Sequence, residues 1–137
     1  MADTLKLEIV TPETTIYSED VEMVTLPGSE GEAGIYPNHV PLMTRVQAGE
    51  IIVNRSGTEE VVAIGEGFAE ITGDHIAILT DNAANSADID EAAAEEAKAK
   101  AEQRLEEGGD ISEEEARILN QAIMFSEAQI KAKRRRR

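Results

Sequence analysis

The chain has 137 residues, of which 13 are basic and 28 acidic, giving a formal net charge of −15. Nucleic acid and anionic lipid repel so acidic a chain except at a local basic patch, and the length allows one domain or one small domain with an appendage. The absence of cysteine and the presence of only two histidines exclude a disulfide framework, a thiol nucleophile and a His-rich metal cage. No apolar run approaches the ~20 residues of a membrane span, and the N-terminus lacks a signal-peptide block. We therefore expect the chain to stay in the compartment where it is made.

The first part of the chain predicts many short β-strands. Leu5, Leu7 and Ile9 alternate with polar residues, which is typical of a half-buried strand. The other predicted strands lie at residues 21–26, 42–46, 51–54, 60–64, 68–72 and 75–80. Glycine and proline turns separate them, and this spacing favours a β-sandwich or barrel. All four prolines and eight of the ten glycines precede residue 86, so we predict a β domain over residues 1–86 and a helical domain over 87–137.

The second part predicts a helical hairpin. The first helix is expected over residues 89–107, with Asp88 as the N-cap and a glutamate three residues later as its capping-box partner. Gly108 ends it, in the left-handed conformation that glycine adopts after a helix. Ser112 followed by Glu115 is a second capping box, which begins the second helix.

The two predicted helices share a thin apolar seam. Its residues are Ile89, Ala93, Ala97, Ala101 and Leu105 in the first helix, and Ala116, Leu119, Ala122, Ile123 and Ile130 in the second. Alanine buries little area, so the hairpin is only marginally held. Two alternatives follow: an appendage that is permanently docked or partly frayed, or a switch that folds onto the sandwich and lifts away from it.

The end of the chain is basic although the rest is acidic. Lys131, Lys133 and residues 134–137 supply six of the thirteen basic residues. This tail is either a solvated helix end that aids solubility or a grip for an acidic surface on a protein partner. Nucleic acid is the weaker alternative, because the acidic body would repel it.

The sequence contains no evident catalytic pattern. His39 lies in a proline-flanked loop and His75 follows a turn, and neither belongs to a recognisable catalytic triad. The glycine-rich run over residues 28–34 carries two glutamates and lacks the lysine of a phosphate-binding loop. We expect no catalytic residue and no metal site, and therefore a protein that is not an enzyme by itself.

Residues 28–51 read GSEGEAGIYPNHVPLMTRVQAGEI. This stretch closely resembles the signature of the epsilon subunit of F-type ATP synthases. The matching positions are Gly28, Gly31, Gly34, Ile35, Pro37, His39, Pro41, Leu42, Thr44, Gly49 and Ile51. Further matches lie at residues 5–12, 67–70, 78–81 and 88–92, so the resemblance covers almost the whole chain, with the basic tail as its least typical part.

The resemblance implies an N-terminal ten-strand β-sandwich followed by a C-terminal antiparallel helix–loop–helix hairpin. It implies a non-catalytic subunit of the central stalk, which binds the gamma subunit and the ring of c subunits and couples proton-driven rotation to ATP synthesis. In many bacterial members the C-terminal helices extend into the catalytic head, reach the alpha and beta subunits and inhibit ATP hydrolysis. The alternative is a free-standing adaptor protein that binds an acidic partner through its basic tail.

The resemblance also carries residue roles. The contacts it implies with the rotor ring or the gamma subunit are Glu30, Gly31, Glu32 and His39. The contacts it implies with an acidic segment of the beta subunit in the extended state are Arg117, Lys131, Lys133, Arg134 and Arg135.

ATP-binding members of the family carry an Ile/Leu-Asp-x-x-Arg-Ala motif at the start of the first helix. This chain has Ile89, Asp90, Ala93 and Ala94 at the motif's defined positions, with alanine in place of arginine. A triphosphate would lose its bidentate cation there. We therefore expect weak or absent ATP binding and no cofactor.

The implied partners set the expected location. The resemblance places the chain as a peripheral membrane protein on the cytoplasmic face of a bacterial plasma membrane, with the stromal side of a thylakoid as the other alternative. Contact with the membrane would be made only through the complex.

Overall fold

The computed structural model of the chain describes residues 4–28, 31–38 and 40–135. In this part of the chain, ten strands form two five-stranded sheets, and a single 3-10 turn and two α-helices follow. The strands are β1 (Leu5–Val10), β2 (Thr15–Val21), β3 (Met23–Gly28), β4 (Gly31–Ile35), β5 (Leu42–Val46), β6 (Gly49–Arg55), β7 (Thr58–Ile64), β8 (Gly67–Thr72), β9 (His75–Thr80) and β10 (Ala83–Asn85). The 3-10 turn spans Ser86–Asp88, and the helices are α1 (Glu91–Glu107) and α2 (Glu113–Arg135).

The two sheets pack face to face as a β-sandwich. Sheet one has the strand order β2-β1-β9-β8-β5, and sheet two has the order β10-β7-β6-β3-β4. Neighbouring strands are antiparallel except β1 and β9, which run parallel with Lys6 opposite His75. The predicted ten-strand sandwich followed by a helical hairpin is confirmed.

The main core lies between the sheets. Strand alternation directs Leu5, Leu7 and Ile9 of β1 inward, where all three are almost completely buried. Facing or neighbouring side chains that complete this core include Val24, Val53, Val62, Ile64, Ile71, Ile76 and Ile78. At Gly67 an added Cβ would lie 2.0 Å from the carbonyl oxygen of Leu79, so only glycine allows β8 and β9 to approach here.

Apolar alternation does not predict strands β2, β4 and β10. The predicted strand over residues 21–26 includes only the last residue of β2, Val21, and the first part of β3, which begins at Met23. The backbone N–H of Glu22 at the break donates to the carbonyl oxygen of Asn54, so the chain passes from sheet one to sheet two without an unpaired amide there. The sequence does not predict strands β4 and β10, because each lies at a sheet edge and contains few apolar residues.

The first helix begins two residues later than predicted. Its N-cap is Asp90, whose carboxylate accepts from the backbone N–H of Ala93 at 3.1 Å, whereas Asp88 lies in the 3-10 turn. Ile89 has an extended backbone and is buried against sheet two. Anchoring Ile89 on the sheet keeps it out of the helix, so the next residue becomes the cap.

The predicted seam of α1 is also wrong in detail. The buried residues are Ala94 and Ala101, whereas Ala93 and Ala97 are exposed. A strict spacing of four drifts around a helix of 3.6 residues per turn, and the observed face follows a mixed spacing of three and four. Gly108 ends the helix with φ 62° and ψ −128°, a positive φ but not the predicted left-handed helical conformation.

The second helix begins as predicted. The hydroxyl of Ser112 accepts from the backbone N–H of Glu115 at 3.0 Å. The Glu115 carboxylate, however, does not complete a capping box: it accepts from Arg104 of α1 at 3.1 Å and so joins the two helices. Its predicted seam residues are partly buried except Ala122, which is exposed.

The most buried positions of α2 face a second partner. Ala128 and Ala132 form a small cluster with Ile89 and with Val61 and Ala63 of β7. Since α2 packs against β6 and β7 as well as α1, its buried face differs from that of a helix in an isolated hairpin. The small side chains bring the helix close to the sheet but bury little area.

Candidate functional site

The β3–β4 hairpin carries the glycines of the sequence signature. Gly28 pairs with Gly31, and an added Cβ on Gly28 would lie 2.8 Å from the carbonyl oxygen of Gly31, which itself has φ 111°. These glycines therefore have a structural role in the turn. Glu32 follows on β4 with an exposed side chain, at the edge of sheet two. Glu30 and His39, the other two residues predicted to contact the rotor, lie outside the described residues.

The loop after β4 presents apolar side chains to solvent. Tyr36 and Val40 are 60% and 71% exposed. The loop is tied to the β8–β9 turn by the backbone N–H of Asn38, which donates to the carbonyl oxygen of Gly73 at 2.6 Å. The described residues of this loop therefore lie beside sheet one.

The outer face of sheet one carries a larger apolar surface. Phe68 of β8 pairs with Arg45 of β5 on one side and with Leu79 of β9 on the other. Phe68 is 50% exposed and Leu79 53% exposed, and Met43 two residues before Arg45 is also exposed. The Arg45 guanidinium carbon lies 5.8 Å from the centre of the Phe68 ring, within cation–π range. We call Arg45, Phe68, Leu79 and Met43 the apolar face.

The strand pattern and the family resemblance both include Phe68 and Leu79, but neither predicts this apolar face. One feature of the sequence could have indicated this apolar face, namely the adjacent pair Ile78 and Leu79 on β9. Successive side chains in a strand point to opposite faces, so one of two adjacent large aliphatics has to face outward. A cluster of outward apolar residues on neighbouring strands indicates an interaction surface.

A cavity of about 410 Å³ lies between the apolar face and the first half of α2. Phe68 and Leu79 line it from the sheet, and Arg117 and Gln121 line it from the helix. The Gln121 amide donates to the Glu66 carboxylate, which connects α2 to the rim of the sandwich. The cavity therefore includes surfaces from both parts of the chain.

Arg117 is separated from the other basic residues predicted to contact a partner. Its guanidinium donates to both oxygens of Glu114, at 2.6 and 3.2 Å, within α2. This hydrogen-bonded pair raises the pKa of Arg117 and lowers the pKa of the Glu114 carboxyl. The two residues are three positions apart, a spacing that brings side chains together on a helix surface.

The other predicted cations gather at the end of α2. Arg135 donates to the Glu50 carboxylate of β6, and Lys131 lies 3.8 Å from the same carboxylate. Arg134 donates to carboxylates of α1, and Lys133 donates to the backbone carbonyl oxygen of Ser86. All four therefore engage acceptors of the chain itself.

The residues of the altered nucleotide motif form the N-terminal end of α1 and the position just before its cap. Ile89 is buried, Asp90 caps the helix, Ala93 is exposed and Ala94 is buried. The carboxylates of Glu91 and Glu95 pair with Arg134, so that this cation is already engaged. The motif positions present no cation of their own to a phosphate.

Among the described residues, no group of three or more His, Cys, Asp and Glu side chains is arranged to hold a metal ion. Neither of the two helices has the length and apolar character needed to cross a bilayer.

The sequence matches known proteins over most of its length. Residues 4–86 match the family described as ATP synthase, Delta/Epsilon chain, beta-sandwich domain. The ATP synthase epsilon chain of Desulforamulus reducens is 42% identical over 125 residues, covering 90% of this chain and 95% of the relative. That of Dehalococcoides mccartyi is 48% identical over 99 residues, covering 72% and 70%.

Solved structures share the fold. A chain in the cryo-EM structure of the Euglena gracilis mitochondrial ATP synthase (OSCP/F1/c-ring) superposes with a TM-score of 0.74 at 21% identity, covering 94% of this chain and 81% of that one. A chain of the Tetrahymena thermophila mitochondrial ATP synthase central stalk and c-ring gives 0.58 at 10% identity, covering 94% and 96%. The alternative of a free-standing adaptor gains no support from these matches.

Proposed function

Because this chain belongs to the ATP synthase epsilon-chain family, it is a non-catalytic subunit of that enzyme, and we propose that its sandwich docks in the central stalk while its helices regulate ATP hydrolysis. The extent of the match to epsilon chains carries this proposal. The sandwich then serves to couple proton-driven rotation to ATP synthesis. The enzyme's membrane association makes this chain a peripheral component of a membrane-bound complex.

The apolar face is the surface we assign to stalk docking. Its exposed Phe68 and Leu79 are large apolar side chains on a rigid sheet, which suits them to burial against a partner. We assign the gamma subunit to this face. We assign the β3–β4 hairpin, with Glu30, Gly31 and Glu32, to the ring of c subunits, and we assign His39 to the same partner.

The helical hairpin is the element we assign to regulation. Among the described residues, a small apolar cluster around Ala128 and Ala132 holds it on sheet two, together with polar contacts. An element held by so little apolar area can exchange between docked and extended positions. In the extended position the basic residues of α2 would contact the beta subunit, with the alpha subunit nearby.

Two further assignments complete the proposal. We assign the chain to the cytoplasmic face of a bacterial plasma membrane. We also assign it no nucleotide cofactor, since Ala93 stands where ATP-binding members have an arginine.

Docking is tested with a matched pair of surface substitutions. Leu79→Ser removes an exposed aliphatic side chain from the apolar face, and Ile118→Ser removes one of nearly equal exposure, 51%, from α2. We expect Leu79→Ser to weaken incorporation into the assembled enzyme by about tenfold or more, and Ile118→Ser to leave it unchanged. Equal incorporation of both variants would contradict the assignment of this face.

Regulation is tested by ATP hydrolysis of the assembled enzyme carrying either the full chain or one that ends at Ser86. A several-fold rise on truncation, with proton coupling preserved, is the expected result. An unchanged rate would assign the helices no inhibitory role. Failure of the full chain to join the complex would contradict the proposed function as a whole.

A further inference from the structure

The carboxylate of Glu50 is buried where the end of α2 crosses sheet two. Its side chain is only 6% exposed. Its Oε2 accepts from Arg135 Nε at 2.9 Å and its Oε1 accepts from Arg135 Nη2 at 3.4 Å, while Lys131 Nζ lies 3.8 Å from Oε1. The strand β6 thus offers a fixed acceptor to two cations of the helix.

The neighbouring cation is engaged in a similar way. Arg134 donates to Glu91 at 3.0 Å and to Glu95 at 3.1 Å, both on α1. These pairs link α1 to α2, whereas the Glu50 pairs link α2 to the sandwich. Arg117, in contrast, pairs with Glu114 of its own helix and keeps that partner wherever the helix moves.

The burial of the Glu50 carboxylate determines how much the docked state depends on a cation beside it. A carboxylate removed from water without a compensating cation is costly, so the docked position of α2 depends on Arg135 and Lys131. When α2 lifts away, the carboxylate regains water and the two cations become free. The hydrogen bonds and charge of Glu50 also raise the pKa of Arg135, as an ion pair requires.

We propose that Glu50 is an internal substitute for an acidic partner, and that its contact with Arg135 and Lys131 blocks the binding of these two cations to that partner. The same cations cannot bind Glu50 and an acidic segment of another protein at once. Docking of the hairpin and binding of that segment therefore exclude each other. This inference rests on the proposed function, in which the hairpin leaves the sandwich to reach an acidic surface.

The first test measures binding of a short polyglutamate peptide to the isolated full chain. Glu50→Gln removes the internal competitor, and we expect it to tighten peptide binding by about tenfold. Glu70→Gln, an exposed position on β8 in the other sheet, makes the same charge change away from α2 and is the matched control. Equal affinity of the two variants for the peptide would overturn the proposal.

The second test measures hairpin opening in the full chain. Since the chain has no native cysteine, fluorophores can be placed at cysteines introduced for the exposed Asp20 and Glu102. Arg135→Gln leaves the buried carboxylate without its main partner, so we expect it to increase the open population about tenfold. Lys100→Gln removes a cation that pairs within α1 and should leave opening unchanged.

The double variant separates a specific pair from a general loss of charge. Adding Glu50→Gln to Arg135→Gln removes the unpaired carboxylate, so the hairpin should close again towards the wild-type population. A double variant as open as Arg135→Gln alone would overturn the proposal. If Glu50→Gln does not fold, the comparison of Arg135→Gln with Lys100→Gln decides: equal opening overturns the proposal.

Both tests use the isolated chain, so their outcome does not depend on assembly. Failure here would leave docking of the sandwich in the enzyme intact. Failure of incorporation into the enzyme would in turn leave the Glu50 contact intact.

Discussion

Tyr17 of β2 donates a hydrogen bond of 2.7 Å to Oε1 of Glu60 on β7, and this contact joins sheet one to sheet two at their margin. Arg55 pairs with Glu60 at 3.3 Å and with Glu19 at 3.0 Å, so the tyrosine belongs to a charged network. Burial, followed by the hydrogen bond to Glu60, raises the pKa of Tyr17 above its ordinary value of 10.0.

The raised pKa predicts a loss of stability at alkaline pH. Below pH 10.0 the tyrosine is protonated in both the folded and the unfolded chain, and its contribution to stability is fully present. As the pH rises above that value the unfolded chain loses the proton first, so the free energy of unfolding falls. Tyr17→Phe should therefore flatten the alkaline part of a urea-unfolding profile. Tyr36→Phe, at an exposed tyrosine, should retain the wild-type slope.

The neighbours Ile78 and Leu79 provide a test of the core. Ile78 is completely buried between the sheets, whereas Leu79 points away from it. Ile78→Ala should lower the free energy of unfolding by about 2–5 kcal/mol, since it leaves a cavity. Leu79→Ala should change the same urea-unfolding measurement by less than ~0.5 kcal/mol. Similar effects at both positions would contradict the described alternation of β9.

The alanines of α2 test how the hairpin docks. Ala132 is completely buried against sheet two, and Ala122 on the same helix is exposed. Ala132→Leu should weaken docking by about 1–3 kcal/mol, because the larger side chain has no room beside Ala63. Faster hydrogen exchange of the α2 amides would report this. Ala122→Leu should leave the exchange rates unchanged, and equal rates in the two variants would argue against the small-residue contact.

The altered nucleotide motif predicts that the isolated chain lacks micromolar affinity for ATP. The exposed Ala93 offers no cation, and Glu91 and Glu95 add negative charge nearby. Titration calorimetry checks this directly. Ala93→Arg should raise the affinity, because it restores the bidentate cation. Ala97→Arg adds the same charge one turn later and should raise it less.

The sandwich could be predicted because several independent features of its sequence indicate the same fold. Strand alternation, turn glycines and the family signature all favour the same architecture, as with Leu5, Leu7 and Ile9 of β1. Contacts that depend on three-dimensional packing could not be predicted. The sequence favours Asp88 as the cap, because no local pattern reveals that Ile89 is anchored on β7. The Glu50–Arg135 pair likewise joins positions far apart in the chain, and no local pattern indicates it.

The parallel pair of β1 and β9 has a consequence for synthesis of the protein on the ribosome. β1 and β2 can meet early, but Lys6 finds its neighbour His75 only after most of the sandwich has been translated. Two strands alone make a marginal structure, so the nascent chain carries an open strand edge during that interval. Sheet one can therefore be completed only after β9 has left the ribosomal exit tunnel.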